Sequence, residues 1–293
     1  MLDIRPDGTY CDTTLGGGGH FERMVARLNA QGRAVGIDRD ADALSRVRSR
    51  GLSTRAECLF VHGNYADIER ILATYGIDGV DGVLMDLGMS SLQLDDATRG
   101  FSFRKEGRLD MRMDRTQDID AAAILQQSSE QELAAILQDY GEIHNASRMA
   151  HAIKVYARNH DVITSADLMD CLRREYGPRM NTKAPTKLFQ ALRIAVNDEL
   201  TYLEKALQGA RNVLYKNGRL AVIAYHSLED RMVKRFMRDA ETQCVCDPQT
   251  PMCTCTRRRT MERVNRKAIK PDAAEIAHNP RARSARLRVA RRV

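Results

Sequence analysis

The chain has 293 residues, 43% of them hydrophobic and 29% charged, with a formal net charge of +7. That is ordinary globular usage, which excludes wholesale disorder and, at about 150 residues per domain, allows about two domains. The longest apolar run, residues 220–225, is far short of the roughly 20 that span a bilayer, and residues 1–6 lack a signal-peptide pattern, so a soluble, cytosolic protein with no membrane partner is expected.

In chain order, residues 8–13 predict a short strand leading into a glycine loop. Phe21, Met24, Val25 and Leu28 recur at helical spacing. Residues 33–38 predict an apolar strand ending in a carboxylate, 41–50 a helix, 57–61 a strand, 68–75 a helix, and 80–86 a strand ending in Asp86. Strands alternating with helices imply a parallel sheet. From Ile119 to Leu207 no strand is expected. Ser129 with Glu132, and Thr164 with Asp167, form capping boxes ahead of helical runs. Met149, Ile153 and Tyr156 suit another helix, and Leu188, Leu192, Ala195, Val196, Leu203 and Leu207 predict one long amphipathic helix. Strand returns at 218–226 and again at 285–289. The economical reading is an α/β sheet domain of residues 1–97 and 206–293, interrupted by an all-helical insertion at 98–205.

The charge is unevenly placed. Residues 257–293 hold thirteen Lys and Arg against three Asp and Glu, a local +10, so the rest of the chain sums to −3. A basic terminal stretch suits contact with a polyanion; its alternative is a solvated tail. Of seven cysteines, Cys11, Cys58 and Cys171 stand alone and read as small hydrophobes. Cys244, Cys246, Cys253 and Cys255 cluster within twelve residues, enough thiolates for a tetrahedral zinc site. The C-x-C spacing is less usual than C-x-x-C, so no metal is assigned, and a zinc site and a group of reduced thiols both stay open.

The glycine loop is the first chemical signal. In Tyr10-Cys11-Asp12-Thr13-Thr14-Leu15-Gly16-Gly17-Gly18-Gly19-His20, glycines at a strand-to-helix turn let backbone approach a ligand, and the helix start offers free N–H groups. Asp38, nineteen residues after Gly19, closes the next strand where a carboxylate meets ribose hydroxyls. Phe21 and Glu22 break the dinucleotide fingerprint in both registers, and no Gly-Lys-Ser/Thr follows. An acid ahead of a glycine loop, with a second acid closing strand two, is the pattern expected of S-adenosylmethionine-dependent methyltransferases.

More specific are Met85-Asp86-Leu87-Gly88-Met89-Ser90-Ser91-Leu92-Gln93-Leu94-Asp95-Asp96, Arg99-Gly100-Phe101-Ser102-Phe103 and Leu109-Asp110-Met111-Arg112-Met113-Asp114. With residues 189–197, His226-Ser227-Leu228-Glu229-Asp230-Arg231 and residues 279–284 in the same order, the chain from about Gly8 onward resembles the RsmH (MraW) family of bacterial 16S ribosomal RNA cytosine-N4 methyltransferases. The resemblance implies a Rossmann-like methyltransferase sheet with a helical insert assigned to RNA recognition. It also implies S-adenosyl-L-methionine as donor, and a decoding-centre cytidine of 16S rRNA in the small ribosomal subunit as target. It places Gly18, Gly19, His20, Asp38, Tyr65, Asp86 and Gln93 around the donor. Departures are Tyr65 where the family more often has Phe, Ala224-Tyr225 for Ser-Phe, and Lys183-Ala184-Pro185 for His-Pro-Ala. The family's His-x-Pro-Val-Leu-Leu stretch is not found ahead of Tyr10.

A cytosine amine needs in-line placement and an acceptor for its N–H as the nitrogen becomes tetrahedral. Asp86, Ser90 and Ser91, at the end of the fourth strand, are the candidate acceptors, with His226 the runner-up; Asp86 as a purely donor-binding carboxylate is the alternative. Arg99, Arg104, Lys105, Arg108, Arg112 and Arg115 are read as phosphate contacts. Phe101 and Phe103 are read either as stacking groups or as core. A methyltransferase on other nucleic acid or a metabolite, and an inactive RNA-binding or assembly protein, remain open, as does a homodimer.

Overall fold

The computed structural model describes residues 1–160, 163–177, 183–243 and 258–293. The chain falls into two units, Met1–Gly88 with Leu200–Val293, and Met89–Glu199.

The first unit opens with β1 (Thr9–Asp12), α1 (Gly19–Val25), β2 (Arg33–Asp38), α2 (Ala41–Arg50), β3 (Glu57–His62), α3 (Ile68–Thr74) and β4 (Val80–Asp86). Four consecutive residues are buried in the middle of β2 and again in β4, the pattern of strands covered on both faces. Side chains alternate between faces along a strand, and two separate apolar clusters follow from that. Val35, Val83, Met85, Leu220 and Val222 pack with α3 in one cluster. Ala34, Leu84, Ala221 and Val289 pack with Phe21, Met24, Leu44 and Val47 of α1 and α2 in the other.

The second unit is helical: α4 (Ser91–Asp95), α5 (Ala121–Gln127), α6 (Glu130–Asp139), α7 (Ala146–Asn159), α8 (Ser165–Tyr176) and α9 (Ala184–Asn197). Among the described residues it holds no ladder strand, only an isolated bridge between Arg108 and Thr164. The boxes at Ser129/Glu132 and Thr164/Asp167 cap α6 and α8 as expected. Leu109, Leu125, Leu133, Leu137, Ile153, Leu168, Leu172, Leu188 and Leu192 form its own core.

The chain then returns through α10 (Glu199–Val213), β5 (Leu214–Ala224), α11 (Ser227–Glu241), β6 (Met261–Arg263), α12 (Ala273–His278) and β7 (Arg286–Arg292). The seven strands lie in the order β3-β2-β1-β4-β5-β7-β6. β1 to β5 run parallel, and β7 is antiparallel to both β5 and β6. This is the expected Rossmann-like methyltransferase sheet.

Two expectations about elements are corrected. The single long helix over 188–207 is two helices, because Asp198 takes a left-handed conformation, φ 47°, between α9 and α10. The buried Asn197 side chain donates to the carbonyls of Met111 (2.7 Å) and Arg193 (2.9 Å) and accepts from Met113 N–H (2.8 Å), which fixes that end. Strand β5 begins at Leu214, not at Gly218. The two units meet in the chain at Gly88/Met89 and Glu199/Leu200, with Met89 and Leu94 packed on the helical core and Leu203 on the sheet core.

Candidate active site at the carboxyl edge of the sheet

Three parallel strands end in an acid: β1 in Asp12, β2 in Asp38 and β4 in Asp86. The carboxyl edge of an open parallel sheet, where the strand order switches direction, is where ligands bind. The segment that follows β1 is tied down on both sides. Leu15 N–H donates to Ile37 carbonyl oxygen at 3.0 Å, Thr13 hydroxyl to Leu84 carbonyl oxygen at 3.0 Å, and Asp86 N–H to the Thr14 hydroxyl at 2.6 Å.

Within the loop the glycines have different duties. Gly18 caps α1 at φ 81°, and a Cβ there would meet Val47 Cγ2 at 2.8 Å, so only glycine fits. Gly17 and Gly19 face open space, with nothing within 4 Å of a notional Cβ. The backbone is therefore bare on the side a ligand would approach.

The electrostatics centre on Asp12. Its side chain is fully buried, and burial pushes its pKa up to about 7, with the charges of Asp86 and Asp38 adding to the rise. The Thr14 N–H, 3.1 Å from Asp12 Oδ1, and His20 act against it. Burial likewise raises Asp38 to about 6, although its oxygens accept from the N–H groups of Gly16 (2.7 Å) and Asp40 (2.8 Å). The contact of His20 Nε2 with Asp86 Oδ2, at 3.5 Å, raises the imidazole pKa. The other Asp86 oxygen accepts from the Tyr225 hydroxyl at 3.0 Å. Burial and the neighbouring Asp86 hold that phenol far above its ordinary pKa, so it remains a donor.

The remaining candidates take varied places. Tyr65 opens a short turn after β3, capped by Asn64, and packs half-buried on the sheet core, three residues beyond the His62 that pairs with Asp38. His226 is the N-cap of α11: its Nδ1 lies 3.5 Å from Glu229 N and its Nε2 3.1 Å from Glu229 Oε1, which gives it a structural duty. Ser90 and Gln93 cap α4 reciprocally, at 3.2 and 2.9 Å, and Ser91 is its first, exposed residue. These three belong to the second unit, so the sheet edge described here consists of Asp12, the glycine loop, His20, Asp38, Asp86 and Tyr225.

Several insert readings change. Arg99 is buried and donates to the carbonyls of Arg112 and Met113, each at 3.0 Å. Arg108 pairs with Asp120 and Arg112 with Asp110, each at 2.8 Å, and Lys105 contacts Asp95. Arg104 and Arg115 stay exposed without an ion pair among the described residues. Phe101 is buried and Phe103 packs edge-on against Phe189 at 5.4 Å, so both are core. Cys244, Cys246, Cys253 and Cys255 lie outside the described residues.

Two residues escaped the sequence reading. Asp12 was visible only as the acid ahead of the loop; its burial comes from β1 sitting between β2 and β4. Tyr225 stood out solely as a departure from a family pattern, with nothing in its local spacing to pair it with Asp86, 139 residues away.

S-adenosylmethionine brings a sulfonium cation, a second cationic centre on its amino-acid end and a ribose with two hydroxyls. Bare glycine backbone, an acid closing β2 and buried carboxylates that a cation would help to ionise all suit it. Together with the strand order, they place the chain among S-adenosylmethionine-dependent methyltransferases. The chain belongs to the MraW methylase family, which it matches over residues 1–293. It is 43% identical to ribosomal RNA small subunit methyltransferase H of Halothermothrix orenii, over 100% of this chain and 94% of that one. The protein of the same name from Methylococcus capsulatus is 46% identical, over 99% and 96%. That from Desulfosudis oleivorans is 45% identical, over 100% and 95%.

Proposed function

We propose that the protein transfers the methyl group of S-adenosylmethionine to the exocyclic N4 amine of a decoding-centre cytidine in 16S ribosomal RNA. The observation that carries the reading is Asp86: a carboxylate at the donor edge, held at one oxygen by the Tyr225 hydroxyl and at the other by His20. The names of the similar proteins support a small-subunit ribosomal RNA substrate, and such a substrate puts the protein in the cytoplasm.

The donor supplies an electrophilic methyl group on sulfur. The chain's residues do the rest. Asp38 accepts from the ribose hydroxyls, Gly18 and Gly19 let the donor approach the backbone, and Asp12 counters its positive charge. Tyr65, in the turn after β3, is assigned to the adenine, and Gln93 is assigned to the donor by the family resemblance. At the target, Asp86 accepts an N–H of the amine, so that the nitrogen lone pair can leave the ring π-system and form the new C–N bond, while the methyl–sulfur bond would break and S-adenosylhomocysteine would leave as a neutral thioether. One proton is released for each methyl transferred, and it passes through Asp86 to solvent. Ser90 and Ser91 are the alternative acceptors, and His226 the next. The cytosine must be unstacked to reach this edge. The helical unit, residues 89–199, is assigned to RNA recognition, with Arg104 and Arg115 as its available phosphate contacts.

The test is incubation with labelled S-adenosylmethionine and 30S subunits from a strain lacking the activity, followed by nucleoside mass spectrometry. N4-methylated cytidine is expected; label on another nucleoside, or none, overturns the reading. Asp86→Asn is expected to cut kcat by about 100-fold or more, within the usual range for a general base, with donor affinity changed only a few-fold. Full turnover by that variant would remove Asp86 as the acceptor.

A further inference from the structure

The basic charge of the C-terminal stretch is not spread evenly in space. Many of its cations are consumed internally. Arg286 and Arg288 bind Asp230 at 2.9 and 2.7 Å, Arg263 binds Glu241 at 2.7 Å, and Arg259 and Arg291 bind Glu262 at 2.9 and 2.6 Å. By contrast Arg266, Lys267, Lys270 and Arg283 are exposed and make no ion pair among the described residues. All four lie on or beside one excursion of the chain. It leaves the sheet at Ile269 and returns at Leu287, and these two residues exchange both backbone hydrogen bonds, each 2.9 Å.

The register says where that excursion emerges. Leu287 pairs with Ile223, and Ile223 pairs with Asp86. Asp86, Ile223, Leu287 and Ile269 therefore form one row across the sheet at its carboxyl edge. Three strand spacings of about 4.8 Å put the root of the excursion about 14 Å from the Asp86 backbone. The excursion carries two carboxylates, of which Glu275, on α12, is the least of the influences that raise the pKa of the Tyr225 hydroxyl. The other carboxylate of the excursion, Asp272, accepts the Glu275 N–H at 2.7 Å and caps α12.

We infer that Arg266, Lys267, Lys270 and Arg283 form a phosphate-binding surface for the RNA strand that carries the target nucleotide. The inference rests on the RNA reading above and adds to it a second contact region, carried by the sheet unit. Unpaired cations beside the reacting edge give affinity and hold the strand while the base is unstacked, without reading its sequence.

The test compares two triple variants in the full chain. One is Lys267→Ala, Lys270→Ala and Arg283→Ala. The control is Arg27→Ala, Arg55→Ala and Lys216→Ala, exposed cations near the amino ends of the strands. Binding of 30S subunits is measured from about 50 to 200 mM salt, together with donor affinity by calorimetry. Each single-strand phosphate contact contributes about 0.7 to the slope of log K against log salt. The first variant is expected to lose about 2 from that slope and to raise the KM for 30S subunits about tenfold or more. Its kcat and donor affinity should stay as in the unaltered protein, and the control should keep the full slope. An unchanged slope in the first variant, or an equal loss in the control, overturns the inference. Because binding is read separately from methyl transfer, subunits that bind with the expected slope but acquire no N4-methylcytidine would sink the proposed reaction and leave the surface standing.

Discussion

At the scale of single residues, Asp86 is shared between a neutral donor and a titratable one. The Tyr225 hydroxyl takes part of the carboxylate's hydrogen-bonding capacity, and His20 takes the other oxygen. Tyr225→Phe removes the first partner and concentrates the negative charge on the second. The expected result is a further rise of the His20 pKa, read from an NMR titration of the imidazole protons. A loss of about 1 kcal/mol of stability, typical of one hydrogen bond, should accompany it. An unmoved His20 titration would show that Tyr225 does not shape the field at Asp86. The same pairing shows what sequence can and cannot reveal. Asp86 and Asp38 were legible because each closes an apolar strand, a local pattern. Their partners are chosen by strand order, which brings β5 beside β4 only after the intervening helical unit has been passed.

At the scale of elements, the glycine loop separates folding from binding within three residues. Gly18→Ala places a Cβ against Val47 at a positive φ, so a loss on the order of 1–3 kcal/mol is expected, together with the loss of donor affinity. Gly17→Ala adds a methyl group in open space, so thermal stability should hold within about 0.5 kcal/mol while donor affinity falls. Thermal melts beside calorimetric titrations with the donor check both; equal behaviour of the two variants would mean that the loop is purely structural. The joint between α9 and α10 offers a test of another kind. Asp198→Gly relieves a left-handed aspartate and is expected to stabilise by about 0.5–1 kcal/mol in denaturant unfolding. This joint was invisible to periodicity, because apolar spacing continues from Leu192 through Leu203 to Leu207 regardless of the break. The decisive residue is Asn197, whose partners Met111 and Met113 lie more than eighty residues earlier. Capping boxes, by contrast, are complete within four residues, and those at Ser129 and Thr164 could be read directly.

At the scale of the whole molecule, the acids at the sheet edge tie stability to pH. Asp12, with a folded pKa of about 7, Asp38, at about 6, and the raised His20 all hold protons more tightly in the folded chain than in the unfolded one. The folded state therefore binds more protons between about pH 4 and 7, and their contribution to stability declines as pH rises through that window. Asp12→Asn is expected to flatten the fall in melting temperature of the donor-free protein between about pH 5 and 8. A cationic donor prefers the ionised acids, so its stabilising effect should be larger at pH 8 than at pH 6, with proton release on binding. A donor-induced shift in melting temperature that is independent of pH would refute this linkage. The position of β7 carries a consequence for biosynthesis. It follows both β5 and β6 in the chain, yet it lies between them and is the strand through which β6 joins the sheet. A nascent chain therefore presents β5 with one edge bare until residues 286–292 have cleared the ribosome. Such an edge can recruit the wrong strand. Closure of the sheet thus waits for β7, and the interval between emergence of β5 and arrival of β7 is when this protein most needs a chaperone.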